Sequence, residues 1–437
     1  MRVETVRTEG LGDSTHVLIH EGIAVVVDPQ RDLDRFERVL NDEDADLRMV
    51  IETHLHNDYV SGGLAMSRQA GAELLMPAGA APVFRHRPAF HHEDIDLGPL
   101  VIRPIHTPGH TPEHTSYLVV FEGRGQAVFS GGCLLVGSAG RTDLLGEDRA
   151  ESLARLQYGS VVRLADLPDD VDLFPTHGAG SFCTTSGAGA VTSTIGAEKK
   201  TNPVLLYEDE NAFVKGQLAN LVPYPAYYRH MAPMNVRGVD QADLSVPEIE
   251  TIPRDVKVVD ARPMESYAAG HLPGALGIEL QDSFGTWVGW LTEHNTPLVL
   301  VIDPDQDTEE AMRQLTRIGY DDVRGIVRHP AGDSVAFAVA DVRQFANAAG
   351  SGAQILDVRA PNEWDEGSIE GSILSYVPDV ARETPPGLRE DQPVWVLCGS
   401  GYRASIAAGI LKDRGFDPVV LTDGGVTDVL RQMSNDT

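Results

Sequence analysis

Short apolar runs alternate along this chain with stretches whose apolar residues recur every three or four positions. Residues 15–19, 23–28 and 49–51 have the length and β-branched content of buried strands. Residues 32–40 and 151–165 carry the helical period, the second through Leu153, Leu156, Val161 and Leu164. The alternation returns further on: 298–302 and 394–397 predict buried strands, and 404–414 predicts a helix closed by Gly415. The order is α/β throughout. Prolines at 203, 223, 225 and 233 discourage a long helix between 199 and 240, a stretch that reads as the end of a first domain and the passage to the next.

The turn after 394–397 holds Cys398-Gly399-Ser400-Gly401-Tyr402-Arg403. At a strand-to-helix turn, backbone N–H groups and the helix N-terminus favour an anion, and Arg403 adds a full positive charge. Cys398 is therefore expected to be a reactive thiol at neutral pH rather than a packed structural one. Upstream stand Leu356-Asp357-Val358-Arg359, Glu363-Trp364 and Gly367-Ser368-Ile369-Glu370-Gly371, and downstream Thr422-Asp423-Gly424-Gly425. Together these resemble the rhodanese sulfurtransferase family over residues 340–437. The resemblance implies that Cys398 carries sulfane sulfur, that Gly399, Ser400, Gly401, Tyr402 and Arg403 cradle the anion, that Asp357 and Arg359 are structural, and that no cofactor is required. It departs at Ser368, where the family often has histidine.

A weaker copy lies about 97 residues earlier, as Val259-Asp260-Ala261-Arg262 and Gly270-His271-Leu272-Pro273-Gly274-Ala275. Its apolar run leads to Asp303-Pro304-Asp305-Gln306-Asp307 instead of a cysteine. A carboxylate cannot carry a sulfane sulfur, so this copy is expected to be catalytically silent, packing against its partner or walling its cleft.

Length and charge narrow the field. A chain of 437 residues predicts about three domains, here 1–240, 241–340 and 341–437. No apolar run has membrane-spanning length and the first residues lack the apolar centre of a secretion signal, so a cytoplasmic protein is expected. Three cysteines are too few for a disulfide framework. A net charge of −30 argues against nucleic acid or an anionic membrane as partner and favours solubility. A homo-oligomer is expected, and Tyr224, Tyr227 and Tyr228 could line a domain or subunit interface.

The third strand opens into Thr53-His54-Leu55-His56-Asn57-Asp58-Tyr59, where two histidines at i and i+2 and a carboxylate at i+4 can converge on a metal. There follow His106-Thr107-Pro108-Gly109-His110-Thr111-Pro112-Glu113-His114, Phe129-Ser130-Gly131-Gly132-Cys133 and Phe174-Pro175-Thr176-His177-Gly178. This succession resembles the metallo-β-lactamase superfamily over residues 1–240. Gly140-Arg141-Thr142-Asp143 and the fusion to rhodanese make it most similar to the persulfide dioxygenases. The resemblance implies an αββα sandwich followed by two rhodanese-like α/β domains with parallel sheets. It also implies Fe(II) held by His54, His110 and an aspartate.

The aspartate's position is Gly132, and Tyr59 stands where the superfamily usually has histidine. Three arrangements stay open. His54, His56 and His110 could hold a metal together, which suits zinc at least as well as iron and admits thioester hydrolysis of the glyoxalase II type. Cys133 or a water could fill the gap with iron retained. Or the site could hold no metal. Asp58, His177, Cys183, Arg141 and Asp143 are further candidates around the same cleft. His177 corresponds to a second-metal ligand in dinuclear relatives and not to a ligand in the single-iron ones. Cys183 is open to two readings, a thiol near the cleft or a packed structural one. His86, His91 and His92 are expected to be exposed.

The expected function is persulfide metabolism. The N-terminal domain would oxidise a thiol persulfide with O2 to sulfite, and Cys398 would exchange sulfur among a thiol persulfide, thiosulfate and sulfite. The alternatives are a sulfurtransferase on a non-oxidising scaffold, the hydrolase above, and a protein that senses persulfide at Cys398 without turnover.

Overall fold

The computed structural model describes residues 1–184, 190–219, 221–330 and 332–435. It forms two compact units, Met1–Asp243 with Leu315–Gly319, and Leu244–Gln314 with Tyr320–Thr437. Among the described residues no helix is long and apolar enough to cross a membrane.

The first unit is built on two sheets. One runs in chain order through Arg2–Thr8, Asp13–His20, Ile23–Val27, Asp46–Ile51, Glu73–Pro77 and Arg87–Ala89. The other is ordered Ser193–Thr194, Asp172–Pro175, Arg124–Gly131, Thr115–Phe121, Leu100–His106 and Ile95–Asp96. Strand alternation assigns the faces. Leu18, Val25, Val27, Met49 and Ile51 of the first sheet share one buried cluster with Ile102, Tyr117, Val119, Ala127 and Phe129 of the second. Their neighbours Val17, Ile19, Ala24, Val26 and Val50 point the other way, onto Leu33, Phe36, Leu64 and Met66 beside helices Asp34–Asp42 and Gly63–Ala70. Leu118, Val128 and Leu173 likewise meet Ala154, Val161 and Leu164 of helix Glu147–Ala165. Helices thus cover both outer faces, giving an αββα sandwich.

Leu156 departs from expectation. It falls on the solvent side of its helix and is 48% exposed, while Gln157 beside it is buried. Between residues 195 and 237 the helices are short, Ile195–Thr201, Glu210–Ala219 and Tyr228–Arg237, the last with Pro233 inside it.

The second unit contains two parallel sheets. The first is ordered Leu276–Gly277, Lys257–Asp260, Leu298–Val301, Val323–Val327, and the second Ala338–Ala340, Pro418–Leu421, Val394–Leu397, Gln354–Asp357, Ile373–Leu374. The repeat extends to individual hydrogen bonds. Arg262 grips Asp260 at 2.6 Å and donates to the Gly270 carbonyl at 2.8 Å. Arg359 grips Asp357 at 2.7 Å and donates to the Gly367 carbonyl at 2.6 Å. Register then corrects one detail of the sequence comparison. Asp260 pairs with Val301 as Asp357 pairs with Leu397, so the residue matching Cys398 is the buried Ile302 and not Asp303.

The two copies touch where helix Tyr402–Asp413 meets Tyr267. A Cβ on Gly409 would overlap the Tyr267 hydroxyl, which donates to the Ala275 carbonyl at 3.0 Å. Gly409→Ala is expected to destabilise this unit by about 1–3 kcal/mol, as overpacking does. Denaturant unfolding followed by tryptophan fluorescence measures it, and an unchanged midpoint would contradict the close approach.

Candidate metal centre and candidate sulfur-carrying loop

Strand ends at one edge of the sandwich deliver His54, His110, Gly132 and His177, and Asp28 follows strand Ile23–Val27 beside them. Asp28 takes a left-handed backbone, φ 55°, which non-glycine residues seldom adopt. Its buried carboxylate accepts from the Thr53 amide and hydroxyl, both at 2.7 Å, and from the Thr176 hydroxyl. Because the single Thr53 hydroxyl proton goes to Asp28, its oxygen must accept from His54 Nδ1, 2.8 Å away. His110 Nδ1 lies 2.8 Å from the Arg141 carbonyl, which can only accept. His177 Nδ1 lies 2.8 Å from Asp13 Oδ1.

His54 and His110 therefore have their protons on Nδ1 and lone pairs on Nε2, and an ionised Asp13 holds His177 in the same tautomer. The Nε2 atoms of His54 and His177 are 3.3 Å apart, and His110 Nε2 is buried without a hydrogen-bond partner. Burial, then the neighbouring histidines, hold His54 and His110 well below the ordinary histidine range; burial also lowers His177, against the pull of Asp58.

His56 behaves differently. Its Nε2 lies 3.2 Å from both Asp28 and Glu52 and 3.0 Å from the Tyr59 hydroxyl, and its ring stacks on Tyr59 at 4.3 Å. Burial opposes a charge on His56, but the two carboxylates outweigh it and raise its pKa well above the usual value. Burial pushes Asp28 up, but the His56 charge and the hydrogen bonds outweigh it and hold the carboxyl at about 2, while Glu52 is raised by burial. Asn235 fixes the turn by donating to the His56 and Tyr59 carbonyls, each at 2.9 Å.

Among the described residues, three sets bring ligand atoms within 4.8 Å of one another: His54, His110 and His177; Asp28, His54 and His56; and His56, Asp58 and His177. The expected trio of His54, His56 and His110 is not among them; His56 Nε2 faces the acids, while its Nδ1 is buried without a hydrogen-bond partner. A metal of the kind the fold implies finds a fitting donor set here, since His110 Nε2 is an orphaned buried lone pair aimed at two others.

The other expected residues are resolved by their partners. A Cβ on Gly132 would run into the His110 ring, so that ring fills the room where an aspartate side chain would begin. Cys133 does not fill the gap; it packs into the core beside Leu134 and Ala154. Cys183 is buried at the cleft and donates to Asp58 Oδ2 at 3.3 Å. Burial, followed by the Asp58 and Asp13 charges, pushes that thiol well up. Burial pushes Asp13 and Asp58 up to about 7.

Arg141 is a clamp, bidentate to Asp143 at 2.7 Å and bonded to the Phe182 and Val222 carbonyls at 2.9 Å. His114 uses both nitrogens on Thr107 and the Gly132 amide, each at 2.9 Å. His91 and His92 are exposed and His86 is half-buried. Sequence reasoning missed Asp13, Asp28, Glu52 and Gln157. Gln157 accepts from the His110 amide at 2.7 Å and donates to the Cys133 carbonyl at 2.6 Å.

In the second unit Cys398 is buried at the end of strand Val394–Leu397, with Gly399 and Ser400 exposed beyond it and helix Tyr402–Asp413 starting after Gly401, φ 87°. The Tyr402 hydroxyl donates to the Glu279 carbonyl at 3.0 Å, so the first copy backs the loop of the second. Arg403 lies close enough to Cys398 for their charges to interact, and it forks onto Glu363 at 2.5 and 2.8 Å. Glu363, part of the upstream motif, is the residue that aims Arg403.

Comparison with known proteins agrees with this architecture. Residues 9–177 match the metallo-beta-lactamase superfamily and residues 248–327 and 341–432 the rhodanese-like domain. A probable polyketide biosynthesis zinc-dependent hydrolase, BaeB, from Bacillus velezensis is 30% identical over a stretch covering 36% of this chain and 68% of that protein. A hydroxyacylglutathione hydrolase from Tolumonas auensis is 35% identical over 35% of this chain, a stretch that spans only 57% of the relative's own length. A crystal structure of a metallo-beta-lactamase from Staphylococcus aureus subsp. aureus COL superposes with a TM-score of 0.69 at 28% identity, covering 75% of this chain and 99% of that one. The chain belongs to the metallo-beta-lactamase superfamily through its N-terminal part, which is followed by tandem rhodanese-like domains.

Two outcomes are expected. Asp28→Asn should destabilise the first unit by about 3–5 kcal/mol, since it strips a buried charge from His56; chemical denaturation measures this, and a loss within experimental error would contradict the network. In a thiosulfate sulfur-transfer assay Glu363→Gln should lower kcat/KM about ten- to a hundredfold, because a charge-assisted pair is worth about 1.5–3 kcal/mol; an unchanged value would deny Glu363 its positioning role.

Proposed function

We propose that this protein of sulfur metabolism is a sulfurtransferase working through a persulfide on Cys398. The observation that carries the reading is the Cys398 loop, with a strand end behind it, a helix N-terminus in front and Arg403 aimed by Glu363. The Cys398 thiolate attacks the outer sulfur of thiosulfate, the S–S bond of the donor breaks, and sulfite leaves with the electron pair. The terminal sulfur on Cys398 then carries the negative charge, which the loop N–H groups and Arg403 stabilise. An acceptor thiolate or sulfite attacks that sulfur and Cys398 departs as thiolate. The first rhodanese-like copy has Ile302 at the matching place and supplies support only.

For the N-terminal domain the resemblance favours a thiol persulfide as substrate, oxidised to sulfite that Cys398 could take up. A second reading, thioester hydrolysis, is favoured by the three-imidazole set without a carboxylate and by relatives that include a zinc-dependent hydrolase and a hydroxyacylglutathione hydrolase. A bound zinc-type ion would supply Lewis acidity and a nucleophilic water, and the chain's part is to hold His54, His110 and His177 in their Nδ1–H tautomers.

Cys398→Ser is expected to abolish thiosulfate-dependent sulfur transfer, and intact-mass analysis of the wild-type chain after donor treatment should show one added sulfur that the variant lacks. Transfer at the wild-type rate by the variant would sink the assignment. The same variant separates the N-terminal readings, since persulfide-dependent oxygen uptake supports oxidation and thioester cleavage without uptake supports hydrolysis.

A further inference from the structure

We infer that the Tyr376 hydroxyl is a further anion-binding group at Cys398, donating to a sulfonate oxygen as thiosulfate gives up its outer sulfur and again when sulfite takes one. The inference rests on the Cys398 sulfur-transfer reading and adds the substrate class that site favours, donors and acceptors carrying a sulfonate-type group over plain thiol persulfides.

Strand register brings Tyr376 to the loop. Asp357 pairs with Leu397 on one side and with Leu374 on the other, so Cys398 and Tyr376 leave the sheet at the same carboxyl edge. Parallel sheets bind their ligands at that edge. The Ser375 amide still donates to the Asp357 carbonyl at 3.1 Å, and Tyr376 follows at the head of helix Val377–Arg382. Arg414, just past helix Tyr402–Asp413, holds the far end of that short helix through the Val380 and Ala381 carbonyls at 2.5 and 2.6 Å.

The first rhodanese-like copy fixes the ring. Trp287 and Trp290, on its helix Phe284–Leu291, meet the Tyr376 ring edge-on with centroids 6.2 and 5.6 Å away. The two tyrosines beside the loop differ in what their hydroxyls do. That of Tyr402 is committed to the Glu279 carbonyl, whereas that of Tyr376 makes no hydrogen bond among the described residues. Arg403 and Glu363 lie close enough to Tyr376 for their charges to act on it, and Arg403 stands in the same relation to Cys398. Burial pushes the phenol well up, against the pull of Arg403, so it keeps its proton and remains a donor.

Charge gives this hydroxyl its task. Glu363 takes two N–H groups of Arg403, so the pair brings no net charge to the loop, while thiosulfate is a dianion. When the Cys398 thiolate attacks the outer sulfur, the S–S bond of the donor breaks, its electron pair stays on the sulfonate sulfur, and the sulfonate oxygens gain charge. A fixed donor at that place acts where the charge grows. A thiol persulfide has no oxygens on its reacting sulfurs to receive it.

The test follows the rate at which the full-length chain gains one sulfur on Cys398, by quenched intact-mass measurement, in wild type and in Tyr376→Phe, which keeps the ring. The donors are thiosulfate and glutathione persulfide. Loading from thiosulfate is expected to fall about ten- to a hundredfold in the variant, the scale of a hydrogen bond to a charged group, with loading from glutathione persulfide within about twofold of wild type. Equal losses with both donors, or no loss with either, would overturn the inference. A wild-type chain that loads from neither donor sinks the Cys398 reading and this inference with it; one that loads from thiosulfate as slowly as its variant sinks this inference alone. If the variant fails to fold, wild-type crystals soaked with sulfite decide the matter. A sulfite oxygen about 3 Å or less from the Tyr376 hydroxyl supports the inference; sulfite bound away from Tyr376, or none bound, overturns it.

Discussion

The buried carboxylate of Asp28 sets the direction of the hydrogen bonds on which the candidate metal centre depends. It can only accept, so it fixes Thr53 as a donor, and Thr53 in turn fixes the proton of His54 on Nδ1. The same carboxylate pairs with His56 and gives that ring a reason to stay charged and turned away. Its acceptance from Thr176 ties in the strand end that presents His177. This one group orients His54 and pairs with His56, while the Arg141 carbonyl and Asp13 engage His110 and His177, and it does so from a left-handed backbone position that the packing around it must hold.

Much of the architecture was legible in the sequence because it rests on local periodicity. The β-branched runs at 15–19, 23–28 and 49–51 give three strands of the first sheet, whose two faces fall on alternate residues, Val25 and Val27 inward against Ala24 and Val26 toward the helices. Leu156 shows the limit of that signal, since helical spacing places an apolar residue near the core face but does not say where the face ends.

The site was legible only in part. His54 and His110 follow from their motifs, and Gly132 was visible as a missing ligand. What could not be seen was that the His110 ring occupies the room at Gly132. Nor does spacing at i and i+2 separate His54 from His56, because the deciding partners, Asp28 and Glu52, carry no mark of their role. In the tandem repeat the motif copies were plain, yet strand pairing was needed to align Ile302 with Cys398 in place of the acidic loop that follows. The two halves differ in how they manage charge. The Cys398 loop stabilises an anion with a helix N-terminus and an arginine, whereas the histidine cluster gathers lone pairs that call for a cation.

The most direct test of this account is the tautomer of each site histidine in the metal-free protein, read by nitrogen-15 correlation spectroscopy of the imidazoles and assigned with single substitutions. The account predicts protonated Nδ1 and bare Nε2 at His54, His110 and His177, with His56 present as the imidazolium. A proton on Nε2 at any of the three, or a neutral His56, would contradict it.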